Sequence, residues 1–287
     1  MVGMLPEEYL NRMRKLLKEE YDAFCRSYAE EKAQGLRINT LKIPVDAFMK
    51  INPFHLEKIP WAEEGFYYTS DAVGKHPYHE AGLYYIQEPS AMAAAALLDP
   101  RPGERVLDIC AAPGGKATHI AARLQGKGLL VANEIQTSRA KILSQNMERM
   151  GVRNAIVTNE SPERLFGYFP NYFHRILVDA PCSGEGMFRK NPETRNEWSL
   201  KRVFSCAERQ IRILKTASDM LMAEGILVYS TCTFSPEENE GVIEKFLQSH
   251  PEFEIQKMHV YEKFSGGRPE WTPGGREELN RTIRIWP

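Results

Sequence analysis

The chain has 287 residues, 43% of them hydrophobic, enough to bury a substantial core in one large or two unequal domains, and this excludes disorder as a description of the whole. Its 37 basic and 38 acidic side chains leave a formal net charge of -1, so no global charge marks a nucleic-acid binder. Five widely spaced cysteines, with no Cys-x-x-Cys and no clustered histidines, exclude a disulfide framework and a structural zinc site, and point to reduced thiols in a cytoplasmic protein.

Along the chain, basic residues at Arg12, Arg14, Lys15 and Lys18 come without the uninterrupted apolar core of a signal peptide. The longest apolar stretch, residues 91–98, is too short to span a membrane. A helix is expected over residues 6–20, a strand over 36–41, a short helix over 45–50 and then further extended segments with aromatics at Trp61, Phe66, Tyr67 and Tyr68. This alternation reads as a small N-terminal α/β accessory domain over residues 1–80, with the turn-forming residues between Gly74 and Gly82 as its boundary.

From residue 81 to 287 the pattern changes to short apolar runs separated by amphipathic helices. Strands are expected at residues 105–109, 128–132, 155–158, 175–178 and 225–229, each as a fully buried strand, with helices at 117–124, 139–150 and 200–222 as crossovers. That alternation implies an α/β fold with a Rossmann-like, doubly wound, mostly parallel sheet. Ligands of such sheets lie at the carboxyl ends of the strands, and every motif below falls there. A last strand is expected near residues 282–286, directly before the chain ends at Pro287.

After the first of these strands comes Cys110-Ala111-Ala112-Pro113-Gly114-Gly115-Lys116, opening a helix. Small residues let backbone approach a ligand, and a helix start offers unpaired N–H groups, so a nucleotide-like cofactor is expected. The loop is neither a Walker A motif, since Cys110 stands where the first glycine belongs, nor Gly-x-Gly-x-x-Gly, which counts against NTPase and NAD readings. Glu134, at the end of the second strand, is suited to accept hydrogen bonds from ribose hydroxyls, which favours an adenosine-bearing cofactor.

Two further strand ends carry thiols: Asp179-Ala180-Pro181-Cys182-Ser183 and Tyr229-Ser230-Thr231-Cys232-Thr233. A thiol pair downstream of a cofactor loop points to covalent chemistry on a poorly reactive carbon, one thiol attacking and the other aiding release. Cys25 and Cys206 read as small packing residues, and Cys110 as a packing residue of the loop.

The ordered set Asp108-Ile109-Cys110-Ala111-Ala112-Pro113-Gly114-Gly115-Lys116, Asn133-Glu134, residues 179–190 beginning Asp-Ala-Pro-Cys, and Tyr229-Ser230-Thr231-Cys232-Thr233 resembles the Nop/Sun (Fmu) family of RNA cytosine-5 methyltransferases. The resemblance extends upstream to residues 36–41 and 85–90 and covers nearly the whole chain; residues 184–188 are similar to bacterial members acting on small-subunit ribosomal RNA. It implies S-adenosylmethionine as methyl donor, Cys232 as nucleophile and Cys182 as the thiol that assists product release. It further implies that Asp179 contacts base and cofactor and that Lys116 lies near the target base and Cys232. The backbone of Cys110 to Lys116 would hold the amino acid end of the cofactor and Glu134 its ribose, with Arg139 as a further contact. Members of the family often carry Asp shortly after the third strand; here Asn159 occupies that place and is the expected adenine contact.

The chemistry explains these residue types independently. Carbon 5 of cytosine is too weak a nucleophile to take a methyl group, and a thiolate added at carbon 6 turns it into an enamine carbon that can. A free thiol titrates near ~8.5, so Cys232 needs help, expected from Lys116 and from a helix beginning near Pro236. A base being modified must leave its stack, which suits single-stranded RNA. Residues 189–215 hold eight basic side chains against three acidic and are expected to grip the RNA backbone. The N-terminal segment through residue 80, with thirteen acidic against eleven basic side chains, adds no such charge. If relatives carry a further C-terminal RNA-binding domain, a chain ending at Pro287 recognises its substrate incompletely. The expected partner is ribosomal RNA or the small ribosomal subunit, with no membrane and no metal. The competing readings are the same chemistry on tRNA, a DNA cytosine-5 methyltransferase, in which the Pro-Cys loop supplies the nucleophile, and a catalytically idle RNA-binding assembly factor.

Overall fold

Eleven helices and eleven strands follow one another in the computed structural model, which describes residues 5–286 apart from residues 71 and 263. In chain order they are α1 (Glu7–Leu17), α2 (Tyr21–Ser27), β1 (Gly35–Ile38), α3 (Val45–Ile51), β2 (Leu56–Lys58), β3 (Gly65–Tyr68), α4 (Pro77–Glu80), β4 (Tyr84–Ile86), α5 (Pro89–Leu98), β5 (Arg105–Asp108), α6 (Gly115–Leu124), β6 (Leu129–Asn133), α7 (Thr137–Arg149) and β7 (Ala155–Thr158). There follow α8 (Pro162–Phe166), β8 (Phe173–Asp179), α9 (Glu193–Glu197), α10 (Leu200–Met220), β9 (Leu221–Ser230), α11 (Glu240–Ser249), β10 (Phe264–Gly266) and β11 (Ile283–Ile285). The chain forms two compact units that interleave along it: one takes residues 33–179 and 213–230, the other residues 1–32, 180–212 and 231–287.

The larger unit holds two sheets. Strands β5 to β9 form a five-stranded parallel sheet in the order β7-β6-β5-β8-β9, so the strand order reverses between β5 and β8, where a doubly wound sheet opens its ligand crevice. Central β5 and β8 are the buried apolar runs expected of such a sheet. β7 and β9 depart from the expectation of full burial: they are the two edge strands, with Ile156 of β7 48% exposed and residues 225–230 of β9 only half-buried. The second sheet is antiparallel, in the order β2-β3-β1-β4, around Leu36, Ile38, Phe48, Phe66 and Tyr84. The strand expected over residues 36–41 ends at Ile38, because the Asn39 side chain turns the chain by accepting from the Leu41 amide. Helix α5, apolar on all sides, is buried against α6, β8 and β9 and against β3 of the second sheet.

Arg37 carries the antiparallel sheet's influence to the cofactor loop. Fully buried on β1, it donates from Nε to the Gln87 side chain (3.1 Å) and from Nη2 to Thr118 Oγ1 (2.8 Å) and the Gly115 carbonyl (3.3 Å), so it holds the first turn of α6. Burial lowers its guanidinium to about 10.

In the smaller unit, α1 and α2 pack Tyr9, Met13, Phe24 and Tyr28 against Phe188, Trp198 and Val203, with the Tyr9 ring edge-on to Phe188 at 5.0 Å. α1 is shorter than the helix expected over residues 6–20: it stops at Leu17, and Lys18 takes a positive φ of 49°. β10 and β11 form an antiparallel pair, the latter matching the strand expected near the chain's end.

Candidate active site

The loop after β5 closes on a glycine that no other residue replaces cheaply. Gly114 has φ of +116°, and a side chain there would also crowd Leu143 and Asn146 of α7 at 3.3 Å. The turn hands the chain to α6, whose first N–H groups have no carbonyl partner within the helix. Asn133, buried at the end of β6, ties three strand ends together. Its side chain donates to the Ile109 (3.1 Å) and Glu160 (3.0 Å) carbonyls and accepts from Thr158 Oγ1 (2.9 Å) and the Glu160 amide (3.0 Å).

That frame places Glu134. The carboxylate is only 3% exposed, accepts from the Gln136 amide at 2.9 Å and lies 3.1 Å from the Arg139 guanidinium. Arg139 also donates to the Ala112 carbonyl at 2.8 Å, so it joins the cofactor loop to Glu134. Asn159 is exposed, and its amide is engaged: it donates to the Glu134 (2.7 Å) and Ile135 (2.9 Å) carbonyls and accepts from Thr137 Oγ1 (2.8 Å). Its visible work is to brace the turn that carries Glu134. Ile135, 61% exposed beside that buried acid, is an apolar surface that the sequence reading did not single out.

At the ends of β8 and β9, Asp179 accepts from Lys116 Nζ at 2.7 Å and from Ser230 Oγ at 2.8 Å. The expected Lys116 and Asp179 are thus brought together, with Ser230 as an orienting partner not anticipated. Asp108, which ends β5, is fully buried, and neither carboxyl oxygen makes a hydrogen bond of normal geometry among the described residues, the Cys110 backbone amide being close enough only to offset part of the burial. Burial, helped by the Asp179 charge and opposed by Lys116, pushes its carboxyl up to about 8. Cys110 is half-buried, and burial next to Asp108 and Asp179 pushes its thiol up, which suits a packing role.

The residues described here suit a cofactor such as S-adenosylmethionine: a close-approach glycine turn at a helix start, an acid at the end of β6 and an orphaned buried carboxyl at the end of β5. Among the described residues no group of three or more His, Cys, Asp or Glu side chains could hold a metal ion, and no helix is long and apolar enough to cross a membrane.

The thiol loops belong to the smaller unit, where their geometry is set from below by buried carboxylates. Cys182 and Cys232 face each other with their sulfurs 3.2 Å apart, well beyond the ~2.05 Å of a disulfide. Cys232 is exposed and Cys182 half-buried, and the Cys232 amide points at the Cys182 sulfur at 3.3 Å. Ser183 Oγ meets Thr233 Oγ1 at 2.8 Å, joining the loops one residue on. Glu185 accepts from the Phe234 amide (2.9 Å), Ser235 Oγ (2.6 Å) and Trp198 Nε1 (2.9 Å). Glu238 accepts from the Ser183 amide (2.9 Å) and the Gln210 side chain (2.8 Å). Gly186 allows the two loops to touch: its amide donates to the Cys232 carbonyl at 2.9 Å, and a Cβ there would stand 2.9 Å from that oxygen.

Two expectations change here. The helix placed near Pro236 begins at Glu240; residues Pro236–Glu238 form a 3-10 turn that brings the buried Glu238 carboxylate to the thiol loops rather than a helix N-terminus. The Cys182 thiol is pushed up by its contact with Cys232, by burial and by the Glu238 charge, so it is held protonated. In the basic stretch, Arg189 donates to the Ser27 carbonyl (2.6 Å), and buried Arg195 donates to the Phe188 carbonyl (2.8 Å). Each spends a donor on the protein's own backbone, Arg195 from a buried and Arg189 from a half-buried position. Glu185 and Glu238, which brace the thiol loops, are not singled out by the sequence; an acid three residues after Cys182 and another six after Cys232 are the available signals.

Comparison with known proteins identifies the family of the chain. The model of the 16S rRNA methyltransferase RsmB/F family, whose members use S-adenosylmethionine, matches residues 95–287, and that of the N-terminal domain of 16S rRNA methyltransferase RsmF matches residues 5–89. Ribosomal RNA small subunit methyltransferase F of Vibrio atlanticus is 40% identical over 249 residues, 83% of this chain and 53% of that protein. The protein of the same name from Escherichia coli is 37% identical over 283 residues, 94% of this chain and 59% of that protein. The chain therefore spans a little over half the length of these curated relatives. The crystal structure of a methyltransferase homolog protein from Pyrococcus horikoshii superposes with a TM-score of 0.84 at 31% identity, covering 96% of this chain and 88% of that one. With a family model matched over about two thirds of its length, this chain belongs to the 16S rRNA methyltransferase RsmB/F family.

Proposed function

We propose that this chain transfers a methyl group from S-adenosylmethionine to carbon 5 of a cytosine in 16S ribosomal RNA, through a covalent adduct between Cys232 and carbon 6. The observation that carries this reading is the thiol pair, an exposed Cys232 and a half-buried, protonated Cys182 with sulfurs 3.2 Å apart. When bound, S-adenosylmethionine supplies the electrophilic methyl group. The residues that would hold it are the backbone of Cys110, Ala111, Ala112, Pro113, Gly114, Gly115 and Lys116 at its amino acid end, Glu134 at its ribose, and Arg139, Asn159 and Asp179 beside it.

In this reading the Cys232 thiolate adds to carbon 6 and loads electron density onto carbon 5, which can then accept the methyl group. Asp179, held by Lys116 and Ser230, meets the pyrimidine edge and steadies its protons as the adduct forms. A water molecule acting as base then takes the proton from carbon 5, the electrons of that carbon–hydrogen bond restore the carbon 5–carbon 6 double bond as the carbon–sulfur bond breaks, and the protonated Cys182 thiol assists by donating to the departing Cys232 sulfur. The two family matches, over residues 5–89 and 95–287, support an N-terminal accessory segment followed by a methyltransferase segment. A cytoplasmic protein working on the small ribosomal subunit or its RNA completes the proposal.

The test is methyl transfer from methyl-labelled S-adenosylmethionine to naked 16S rRNA, small ribosomal subunits and tRNA, followed by mapping of the labelled nucleotide. Label on a cytosine of 16S rRNA, free or in the subunit, is the expected result. Label confined to tRNA would move the substrate and keep the chemistry, and no label on any RNA would favour a catalytically idle assembly factor.

A further inference from the structure

Two fully buried polar side chains lie beneath the thiol loops: Gln210 on α10, and Glu238 on the turn that follows the Cys232 loop. The Gln210 amide nitrogen donates to the Pro181 carbonyl at 3.1 Å and to Glu238 Oε2 at 2.8 Å. The same carboxylate oxygen accepts from the Ser183 amide at 2.9 Å. The residues on both sides of Cys182 are therefore gripped, Pro181 by the amide and Ser183 by the carboxylate. Because Glu238 stands only six residues beyond Cys232, the grip also ties one thiol loop to the other.

Gln210 sits in an otherwise apolar row of buried α10 residues, Val203, Cys206 and Ala207. Its Oε1 is buried there and makes no hydrogen bond among the described residues, which weighs against the fold. Leucine has about the same size and would avoid that cost. What glutamine provides instead is a nitrogen donor that reaches one acceptor on each thiol loop. A side chain that breaks the rule of its surroundings marks a place where function needs a fixed geometry. The Pro-Cys loop does not supply that geometry unaided: Gly184, two residues after Cys182, has φ of +79° and open space around it. The Cys182 sulfur has to stay within reach of the Cys232 sulfur, now 3.2 Å away, and a displacement of about 1 Å is enough to cost a large part of such a step.

We propose that Gln210 and Glu238 are positioning residues for product release: they clamp the peptides on either side of Cys182, so that its thiol stays against the Cys232 sulfur as that sulfur leaves carbon 6. This rests on the covalent reading above and adds to it what holds the releasing thiol in place.

The experiment compares the full chain with Cys182→Ala, Gln210→Leu, Glu238→Ala, Glu238→Gln and the double variant Cys182→Ala/Gln210→Leu, using methyl-labelled S-adenosylmethionine and 16S rRNA. Three quantities are read: methyl transfer in a single turnover with protein in excess, multiple turnover, and the RNA–protein band that survives denaturing electrophoresis. Gln210→Leu and Glu238→Ala should slow multiple turnover about tenfold and accumulate the band, while single-turnover transfer stays within about twofold of wild type. Glu238→Gln keeps an accepting oxygen for the Ser183 amide and Gln210, and should restore turnover. The double variant should be no slower than Cys182→Ala alone, because both changes act through one thiol. If single-turnover transfer falls in step with multiple turnover, the pair merely supports the loops and the inference is wrong. It is equally wrong if Glu238→Gln fails to restore turnover. If Cys182→Ala traps RNA while the Gln210 and Glu238 variants turn over like wild type, the clamp falls and the proposed function stands. A wild-type chain that transfers no methyl group to RNA overturns both.

Discussion

Replacing Cys232 with alanine is expected to abolish methyl transfer and covalent capture of RNA together, whereas Cys182→Ala should leave RNA trapped on the protein. The asymmetry follows from the two environments. Cys232 is exposed and can reach a base, while Cys182 is half-buried and held protonated by Cys232, by burial and by Glu238. A protonated thiol cannot add to carbon 6, but it can donate to the Cys232 sulfur as that leaves carbon 6 and so ease breakdown of the adduct. Loss of the nucleophile should lower the rate at least about a thousandfold, because no other group in the loops can form the enamine carbon. Loss of Cys182 should slow turnover while an RNA–protein band that survives denaturing electrophoresis accumulates. Alanine at either position removes only a small side chain from loops pinned by Glu185, Glu238 and Gly186, so a folding defect is not expected to mimic the result. The opposite pattern, adduct retained in Cys232→Ala and lost in Cys182→Ala, would place the nucleophile on the Pro-Cys loop, as in DNA cytosine-5 methyltransferases.

Asp108→Asn should change how stability depends on pH by a few kcal/mol. The unfolded carboxyl titrates near ~3.9, and in the folded protein burial pushes it up to about 8. Between these values the folded state keeps a proton that the unfolded chain has released, so stability falls as pH rises. The contribution is fully present below about pH 4 and lost above about pH 8. Asparagine is a neutral near-isostere and removes the titration. Urea unfolding of both proteins at pH 5 and pH 9 should show the asparagine variant gaining on wild type at the higher pH by roughly 3 to 5 kcal/mol. An equal gap at both pH values would mean that Asp108 is ionised in the fold and has a partner.

Much of the catalytic framework is legible in the sequence because parallel strands buried on both faces write themselves as unbroken apolar runs. The ends of β5, β8 and β9 could be read that way, and with them the positions of the Cys110 to Lys116 loop, Asp179 and the two thiol loops. β7 and β9 read the same and are not fully buried, since an apolar run does not state that it lies at a sheet edge. Arg189 and Arg195 show the matching limit for charge. Counting basic residues cannot reveal that two guanidinium groups are spent on the Ser27 and Phe188 carbonyls. The turn at Pro236 fails as a helix start because Asn239 and Glu238 serve the thiol loops before α11 begins. Asp108 looks like an ordinary strand-end acid, and its isolation from hydrogen-bond partners is a property of the packed fold alone.

Release of tritium from carbon 5 tests the central claim most directly. With 16S rRNA labelled at carbon 5 of its cytosines, methylation through a Cys232 adduct must expel the carbon 5 hydrogen, so one tritium should appear in water for each methyl group transferred. Methyl transfer without tritium release would contradict the account, because it would place the methyl group on an atom that needs no thiol.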